Sequence, residues 1–141
     1  MTARTARLED IPGVVDVALQ FNVYQPTEER VTELFLQAES CGGMFVAEHE
    51  GAIIGFLCAI RMPHPFTGRD YVNVVAWWVP AERRGLGAGI ALLREMLRWI
   101  STQTLDMVTI SAPLSSRLDK VLRAFDFRPV EVVHMRGGKW L

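Results

Sequence analysis

Between Val79 and Gly89 the chain reads VPAERRGLGAG. Two arginines, Arg83 and Arg84, stand directly before three glycines at alternate positions, Gly85, Gly87 and Gly89. An apolar run, Tyr71 to Val79, leads into this segment, and a helix-patterned run, Ile90 to Ile100, leaves it. A helix start presents unpaired N–H groups and the positive end of the helix dipole. Glycines let a ligand approach the backbone with no Cβ in the way. A guanidinium fork matches phosphate oxygens. Together these features describe a seat for a phosphate or pyrophosphate. A Walker loop is excluded, since no Lys-Ser/Thr pair follows the glycines. The dinucleotide fingerprint also fails: the pattern is G-x-G-x-G, and no acidic residue ends a following strand to read a ribose. The competing reading is a glycine turn used only for close packing.

Few other residues carry chemistry by type and spacing. Asn73 interrupts an apolar strand and needs a hydrogen-bond partner there. His49 sits at a hairpin turn and is expected to face solvent. His64 lies in the loop PHPFTGRD, and His134 lies near the chain end. No group of His, Cys, Asp and Glu has metal-ligand spacing, so no metal is expected. Cys41 and Cys58 do not form a disulfide framework, and Cys58 reads as a small buried hydrophobe.

The elements that must position these residues follow from periodicity and punctuation. Thr2 to Arg7 suits a short strand. Asp10 is expected to cap a helix with Pro12 in its first turn and Ile11, Val14, Val15 and Ala18 on one face. Thr27 caps a second helix, with Glu28 and Glu29 in the positive first turn and Val31, Leu34, Phe35 and Ala38 inward. Gly42-Gly43 is expected to end it. Met44 to His49 and Ala52 to Met62 read as a hairpin turning at Glu50-Gly51. Gly55 marks a bulge or a close backbone approach. Tyr71 to Val79 reads as a central strand covered on both faces. Trp77 and Trp78 must then point to opposite faces. Leu86, Ile90, Leu93, Leu97 and Ile100 make a helix stripe. Met107 to Ala112 is a buried strand. Ser115 or Ser116 caps a short helix carrying Leu118, Val121, Leu122 and Phe125, and Arg128 to Met135 is a last strand. The order β-α-α-β-β-β-α-β-α-β is an α/β (α+β) mixed sheet with helices packed on it.

At 141 residues the chain predicts one domain, 1–141, with a core large enough to need no staples. Half of the residues are hydrophobic and the formal net charge is −1. That balance excludes a disordered chain and gives no field for nucleic acid or an anionic membrane. The longest apolar stretch, Ala52 to Ile60, is too short to cross a bilayer. The N-terminus MTARTARLED has no apolar signal core, so a cytoplasmic location is expected.

The segment Arg84-Gly85-Leu86-Gly87-Ala88-Gly89 resembles the R/Q-x-x-G-x-G/A motif of the GNAT superfamily of N-acetyltransferases. The preceding Trp77-Trp78-Val79-Pro80 resembles that family's strand end, and the element order is similar over nearly the whole chain. The resemblance implies a mostly antiparallel sheet splayed between its fourth and fifth strands. It implies acetyl-CoA or another acyl-CoA as acyl donor, with the pyrophosphate on the amides from Gly85 through Gly87 and Ala88 to Gly89, beside Arg84 and Arg83. The pantetheine arm would pair with backbone near Trp78 and Val79, and the Val79 amide would serve as oxyanion donor. The acceptor is implied to be a small-molecule or peptide amine, with Phe21 to Glu29 as its wall, where Tyr24, Glu28 and Glu29 would meet it.

The match fails at the catalytic side chains. The family's glutamate base falls eleven positions before Arg84, on Asn73, which cannot take a proton. Its tyrosine acid falls on Leu122, before Asp126-Phe127 where the family has Gly-Phe. Three readings follow. In the favoured one the enzyme works by positioning, with Asn73 orienting a water. In the second, acid and base come from among Asp70, His64, Glu82 and Ser111. In the third the protein is an acyl-CoA-binding or interaction module that catalyses little. Only one strand is legible after Leu122, where the family has two, so an uncovered edge and a homodimer are expected.

Overall fold

Five strands pair in chain order, β1-β2-β3-β4-β5, in one sheet. They are β1 Thr2–Thr5, β2 Gly42–His49, β3 Ala52–Pro63, β4 Asp70–Trp78 and β5 Val108–Ile110. The first three pairings are antiparallel and β4 with β5 is parallel. Among the described residues four α-helices accompany the sheet: α1 Ile11–Ala18, α2 Glu28–Cys41, α3 Ala88–Ile100 and α4 Leu118–Ala124. This is a computed structural model, and it describes all residues except 22–24, 106, 113–116 and 138–141. The chain divides into two compact units, Met1–Ile110 and Ser111–Leu141.

In the first unit, α1 and α2 cover one face of the sheet. Val14, Val17, Ala18, Phe35 and Ala38 pack there on Met44, Val46, Phe56, Cys58 and Ile60. Strand side chains alternate in direction, so Phe45 points the other way, against Trp99 of α3. Leu92, Leu93 and Met96 of α3 are fully buried. Each such side chain contributes about 1.5–3 kcal/mol by leaving water. The inward face of α3 is therefore Ala88, Leu92, Leu93 and Met96, not the expected stripe. The cause is local: Leu86 belongs to a 3-10 turn before the helix, and the helix phase starts from Ala88. Leu86 and Ile90 stay exposed.

Several turns behave as their residues dictate. Thr27 accepts the Arg30 N–H at 3.3 Å and caps α2. Glu50 and Gly51 both have positive φ, the signature of a tight two-residue hairpin turn. Gly55 serves both expected roles. It lies at the register shift between Ala47 and Glu48, and a Cβ there would lie 2.8 Å from Val79 Cγ2 and 3.0 Å from the Trp78 carbonyl.

Other expectations are corrected. Asp10 does not cap α1 with its side chain. Its carboxylate instead takes two hydrogen bonds from the Arg4 guanidinium, at 2.7 and 2.9 Å, and one from the Arg7 N–H at 2.7 Å. Those bonds and the charge of Arg4 hold its pKa below the usual carboxylate value, against the opposing effect of burial. Gly42 is not a left-handed helix end: its φ is −179° and it already pairs with Ile60. It is a glycine because a Cβ would lie 2.1 Å from the Ala59 carbonyl oxygen. β1 stops at Thr5, and β5 holds only three half-buried residues rather than Met107 to Ala112.

In the second unit, α4 buries Leu122. Asp126, where the family pattern has glycine, adopts a left-handed φ of 65°. Arg128 to Met135 is not a strand. Residues 127–136 carry no regular secondary structure, and Val130, Val132, Val133 and Met135 are exposed. A lone alternating segment gains nothing from strand geometry without a ladder partner. The expected Ser115 or Ser116 cap lies outside the described residues.

Candidate functional site

β4 ends at Trp78, and the chain turns through Val79-Pro80 into a 3-10 turn, Ala81–Leu86. Gly87 follows with φ 76° and ψ 14°, a left-handed conformation that joins the turn to α3 and favours glycine. A Cβ on Gly85 or Gly87 would meet nothing within 4 Å. Neither glycine is therefore required by packing, and the space above both is open. Gly89 differs: the Trp77 ring lies 3.7 Å from its Cβ position, and its carbonyl accepts the Trp77 indole N–H at 3.2 Å. That bond ties the start of α3 to β4. The first helical bond of α3 runs from the Ala91 N–H to the Gly87 carbonyl. The amides of Ala88, Gly89 and Ile90 precede it, so the helix leaves them for another acceptor.

Arg84 is held at this junction. Its Nε donates to the Val79 carbonyl at 2.8 Å, and its guanidinium lies 5.0 Å from the centre of the Trp78 ring. Its terminal nitrogens remain as donors. Arg83 is exposed and forms no ion pair among the described residues. Val79 is buried. Trp77 and Trp78 do take opposite faces, Trp77 toward α3 and Trp78 toward the α1 and α2 side. Phe21 stacks on Trp78 with ring centres 4.1 Å apart. The Trp78 indole nitrogen is buried with no hydrogen-bond partner among the described residues.

The other end of β4 is built differently. Its parallel pairing with β5 covers Val72↔Val108, Asn73↔Thr109 and Val74↔Ile110, then stops. β4 runs on from Val75 to Trp78 with no further strand pairing on that edge among the described residues of the first unit, a length of about 13 Å at strand rise. A bulge opposite Cys58 and Ala59 leaves Val75 without a register partner and 44% exposed. Tyr71, Asn73, Ala76 and Trp78 pair with Met62, Ile60, Cys58 and Phe56, so they share the α1 and α2 face. All four are half-buried, whereas Val72 and Val74 on the other face are buried. β4 is thus not covered on both faces, because α1 and α2 pack over β2 and β3.

Asn73 meets its polar requirement through a side chain. The Thr109 hydroxyl donates to Asn73 Oδ1 at 2.9 Å across the two strands. The other sequence candidates have settings of their own. Asp70 is bound to Arg61 at 2.8 Å, and Arg61 also reaches Gln103. His64 Nδ1 accepts the Phe66 N–H at 3.2 Å, and its ring edge lies against Tyr71. Glu82 is exposed in the 3-10 turn. Ser111 and His134 belong to the second unit and are exposed. Glu28 and Glu29 are exposed at the start of α2, and Tyr24 lies outside the described residues. His49 is not simply solvent-facing: it is 26% exposed, and its Nδ1 is buried without a partner among the described residues. Burial pushes the Cys58 thiol up to about 12, so it is no nucleophile near neutral pH. Among the described residues no group of three His, Cys, Asp or Glu is placed to hold a metal ion. None of the described helices is long and apolar enough to cross a membrane.

Sequence reasoning did not single out Thr109 or the stacking of Phe21. Thr109 depends on a parallel register set by residues some thirty-six positions apart, for which the sequence holds no local signal. The arrangement as a whole can seat an anion at the glycine turn and Arg84. It can pair an extended ligand along the Val75–Trp78 edge as an added strand. The far end of that ligand then faces the Asn73–Thr109 rung.

Comparison with known proteins bears on that geometry. The model of the acetyltransferase (GNAT) family matches residues 12–114. No curated protein sequence matches. Among solved structures, an acetyltransferase from Trypanosoma brucei superposes with a TM-score of 0.76 at 17% identity, covering 96% of this chain and 97% of that one. Ribosomal-protein-alanine N-acetyltransferase from Brucella melitensis gives 0.73 at 18%, covering 96% and 98%. The AAC(6')-Iy enzyme, in complex with the bisubstrate analog CoA-S-monomethyl-acetylneamine, gives 0.73 at 18%, covering 97% of each chain. At these identities the superpositions establish a shared fold.

Proposed function

Because the chain belongs to the acetyltransferase (GNAT) family, we propose that it is an N-acetyltransferase moving an acetyl group directly from acetyl-CoA to an amine. The observation that carries this reading is the open space over Gly85 and Gly87, beside Arg84, at the end of the Val75–Trp78 strand edge. A diphosphate fits that turn, because the backbone comes within reach and no side chain fills the approach. When bound, acetyl-CoA supplies an activated acyl carbon and a thiolate leaving group. The chain's own residues do the rest. The amides of Gly85, Gly87, Ala88 and Gly89 hold the diphosphate, with Arg84 and Arg83 adding charge. The β4 edge at Trp78 and Val79 fixes the extended arm, and the Val79 N–H is the oxyanion donor. Asn73 and Thr109 stand where the acceptor nitrogen arrives. Such fixing of two reactants can supply about 7–11 kcal/mol of the barrier without an ionisable group.

The relatives support an amine acceptor. One is a ribosomal-protein-alanine N-acetyltransferase, and another is bound to the bisubstrate analog CoA-S-monomethyl-acetylneamine. The same reading takes residues 1–141 as one functional domain and places it in the cytoplasm, where Cys41 and Cys58 stay as free thiols. It takes the active form as a homodimer, since the apolar segment 130–135 stands exposed. A monomer by light scattering at micromolar concentration would remove the homodimer.

A second reading has its own observation. Asn73 Oδ1 is occupied by Thr109 and cannot accept a proton, and Leu122 stands where the family has its acid. That favours an acyl-CoA-binding module that catalyses little. Calorimetric titration with acetyl-CoA, with coenzyme A and ATP as controls, tests the shared part. Micromolar binding selective for acetyl-CoA is expected, and its absence in folded protein would remove both readings. Thiol release on addition of amines then separates enzyme from binding module.

A further inference from the structure

We infer that a second copy of this chain docks at the end of the sheet where β2 begins, each copy inserting Phe66 into an apolar cleft of the other. The inference gives the homodimer of the proposed function an interface inside the first unit, and it is independent of the acyl-transfer reading.

The inserting residue is held out by its own loop. Phe66 lies between β3 and β4 and is 93% exposed. Around it the loop is closed by hydrogen bonds. The His64 N–H donates to the Arg69 carbonyl and the Gly68 N–H to the His64 carbonyl, both at 2.9 Å. The Phe66 N–H donates to His64 Nδ1 and the Arg69 N–H to Thr67 Oγ1, both at 3.2 Å. The His64 ring stands against both Phe66 and Tyr71, with centres 6.0 and 5.9 Å away. A loop ordered before binding spares the partner that cost. Rigid aromatic anchors of this kind carry most of the energy of an interface.

The receiving cleft has a volume of about 100 Å³ and is lined by Phe35, Ala38, Phe45 and Trp99, with Gly42 and Gly43 at the start of β2. That is the same order as the roughly 150 Å³ apolar cavity that takes up benzene. Gly43 keeps the aromatic walls in place: a Cβ there would lie 2.8 Å from the Phe45 ring and 3.4 Å from Trp99. Aromatic walls suit a phenyl ring, which prefers edge-to-face or offset contact.

The strand register puts ring and cleft at one end of the sheet. Gly42 pairs with Ile60, and β3 runs on to Pro63. The loop therefore begins three residues, about 10 Å, beyond the level of Gly42 and on the neighbouring strand. A two-fold axis at that end sends each Phe66 to the other copy's cleft, and the contact closes at two copies. Charge agrees with this pairing. Glu39 is exposed at the cleft and Arg69 is exposed on the loop, so the exchange brings opposite charges together. A phenylalanine buries about 150–250 Å². Two of them with matching cleft surface remove on the order of 600–1,000 Å², which is the size of a reversible contact rather than an obligate one.

Sedimentation equilibrium from micromolar to submillimolar concentration tests the exchange. The unaltered protein should dimerise reversibly. Phe66→Ala should weaken the dimer on the order of a hundredfold, because two symmetric contacts are lost at about tenfold each. Thr5→Tyr, at an exposed position lining the cleft, should block the mouth and weaken it as much. Both variants should keep the circular dichroism of the parent. Mixed together they retain one intact contact, the cleft of the first and the Phe66 of the second. The mixture should therefore associate about tenfold more tightly than either variant alone. Unchanged association of Phe66→Ala, or a mixture no tighter than its components, would overturn the inference. A dimer lost in Val132→Glu/Val133→Glu but kept in Phe66→Ala would move the interface to segment 130–135, overturning the inference and keeping the homodimer. A monomer at the highest concentration would remove both and leave the acyl-transfer reading untouched.

Discussion

The two halves of the nine-residue strand β4 are built on opposite principles. At the Trp78 end, backbone dominates: Gly85 and Gly87 under open space, Gly87 left-handed, the helix start tied down by Trp77, and Arg84 clamped on the Val79 carbonyl. At the Asn73 end, two side chains satisfy one another, and the titratable neighbour on that face of β4 is Tyr71. One end keeps the features a diphosphate needs. The other has lost the ionisable groups its family uses. The contrast teaches that holding a coenzyme and moving a proton are separable demands. In the proposed function the first falls to backbone geometry, which tolerates many side chains. The second needs a specific titratable group, and positioning can replace it only for a substrate that arrives without its proton.

The comparison breaks most readily at Gly87. Replacing it with tryptophan places a large side chain on a left-handed residue and fills the open space. Acetyl-CoA affinity should fall a hundredfold or more with the fold retained by circular dichroism; intact binding would mean that the ligand lies elsewhere. Acid separates scaffold from site. The Asp10 pKa is lowered by its bonds to Arg4, so its stabilisation is full above the unfolded value near 4 and is lost as pH falls through the lower folded value. Asp10→Ala should cost about 2 kcal/mol at pH 7 in urea titration, a difference that shrinks as pH falls below about 4. A loss that does not change with pH would assign Asp10 a packing role. Arg84→Ala should weaken acetyl-CoA about tenfold, and Arg84→Lys nearly as much, since lysine cannot bond Val79 and the ligand together; full retention in the lysine variant would reduce the clamp to plain charge. Asn73→Ala should lower kcat about tenfold with the coenzyme affinity and the pH break unchanged. A shifted break would make Asn73 part of proton transfer and erase the contrast between the two ends.

Much of this was legible in the sequence. The hairpin at Glu50-Gly51, the Thr27 cap, the opposed Trp77 and Trp78 and the glycine turn all rest on local rules, and each has its structural counterpart. The failures share a cause as well. Asp10 was drawn from its helix start by Arg4 of β1, Gly42 by the passing carbonyl of Ala59, and the α3 face by a 3-10 turn that reset its phase. Each depends on a neighbour or a phase that periodicity cannot supply.

The sequence by itself determined the element order as far as the last helix, the family, and the glycine turn from Arg84 to Gly89, because turn chemistry and backbone freedom are properties of residues and their immediate neighbours. Only the tertiary structure decided that Asn73 is engaged by Thr109, that Phe21 stacks on Trp78, and that one side of β4 stands half open. Those facts are set by strand register and by which strands the helices cover. Register joins residues far apart in the chain, and its free energy belongs to the assembled sheet rather than to any segment of it.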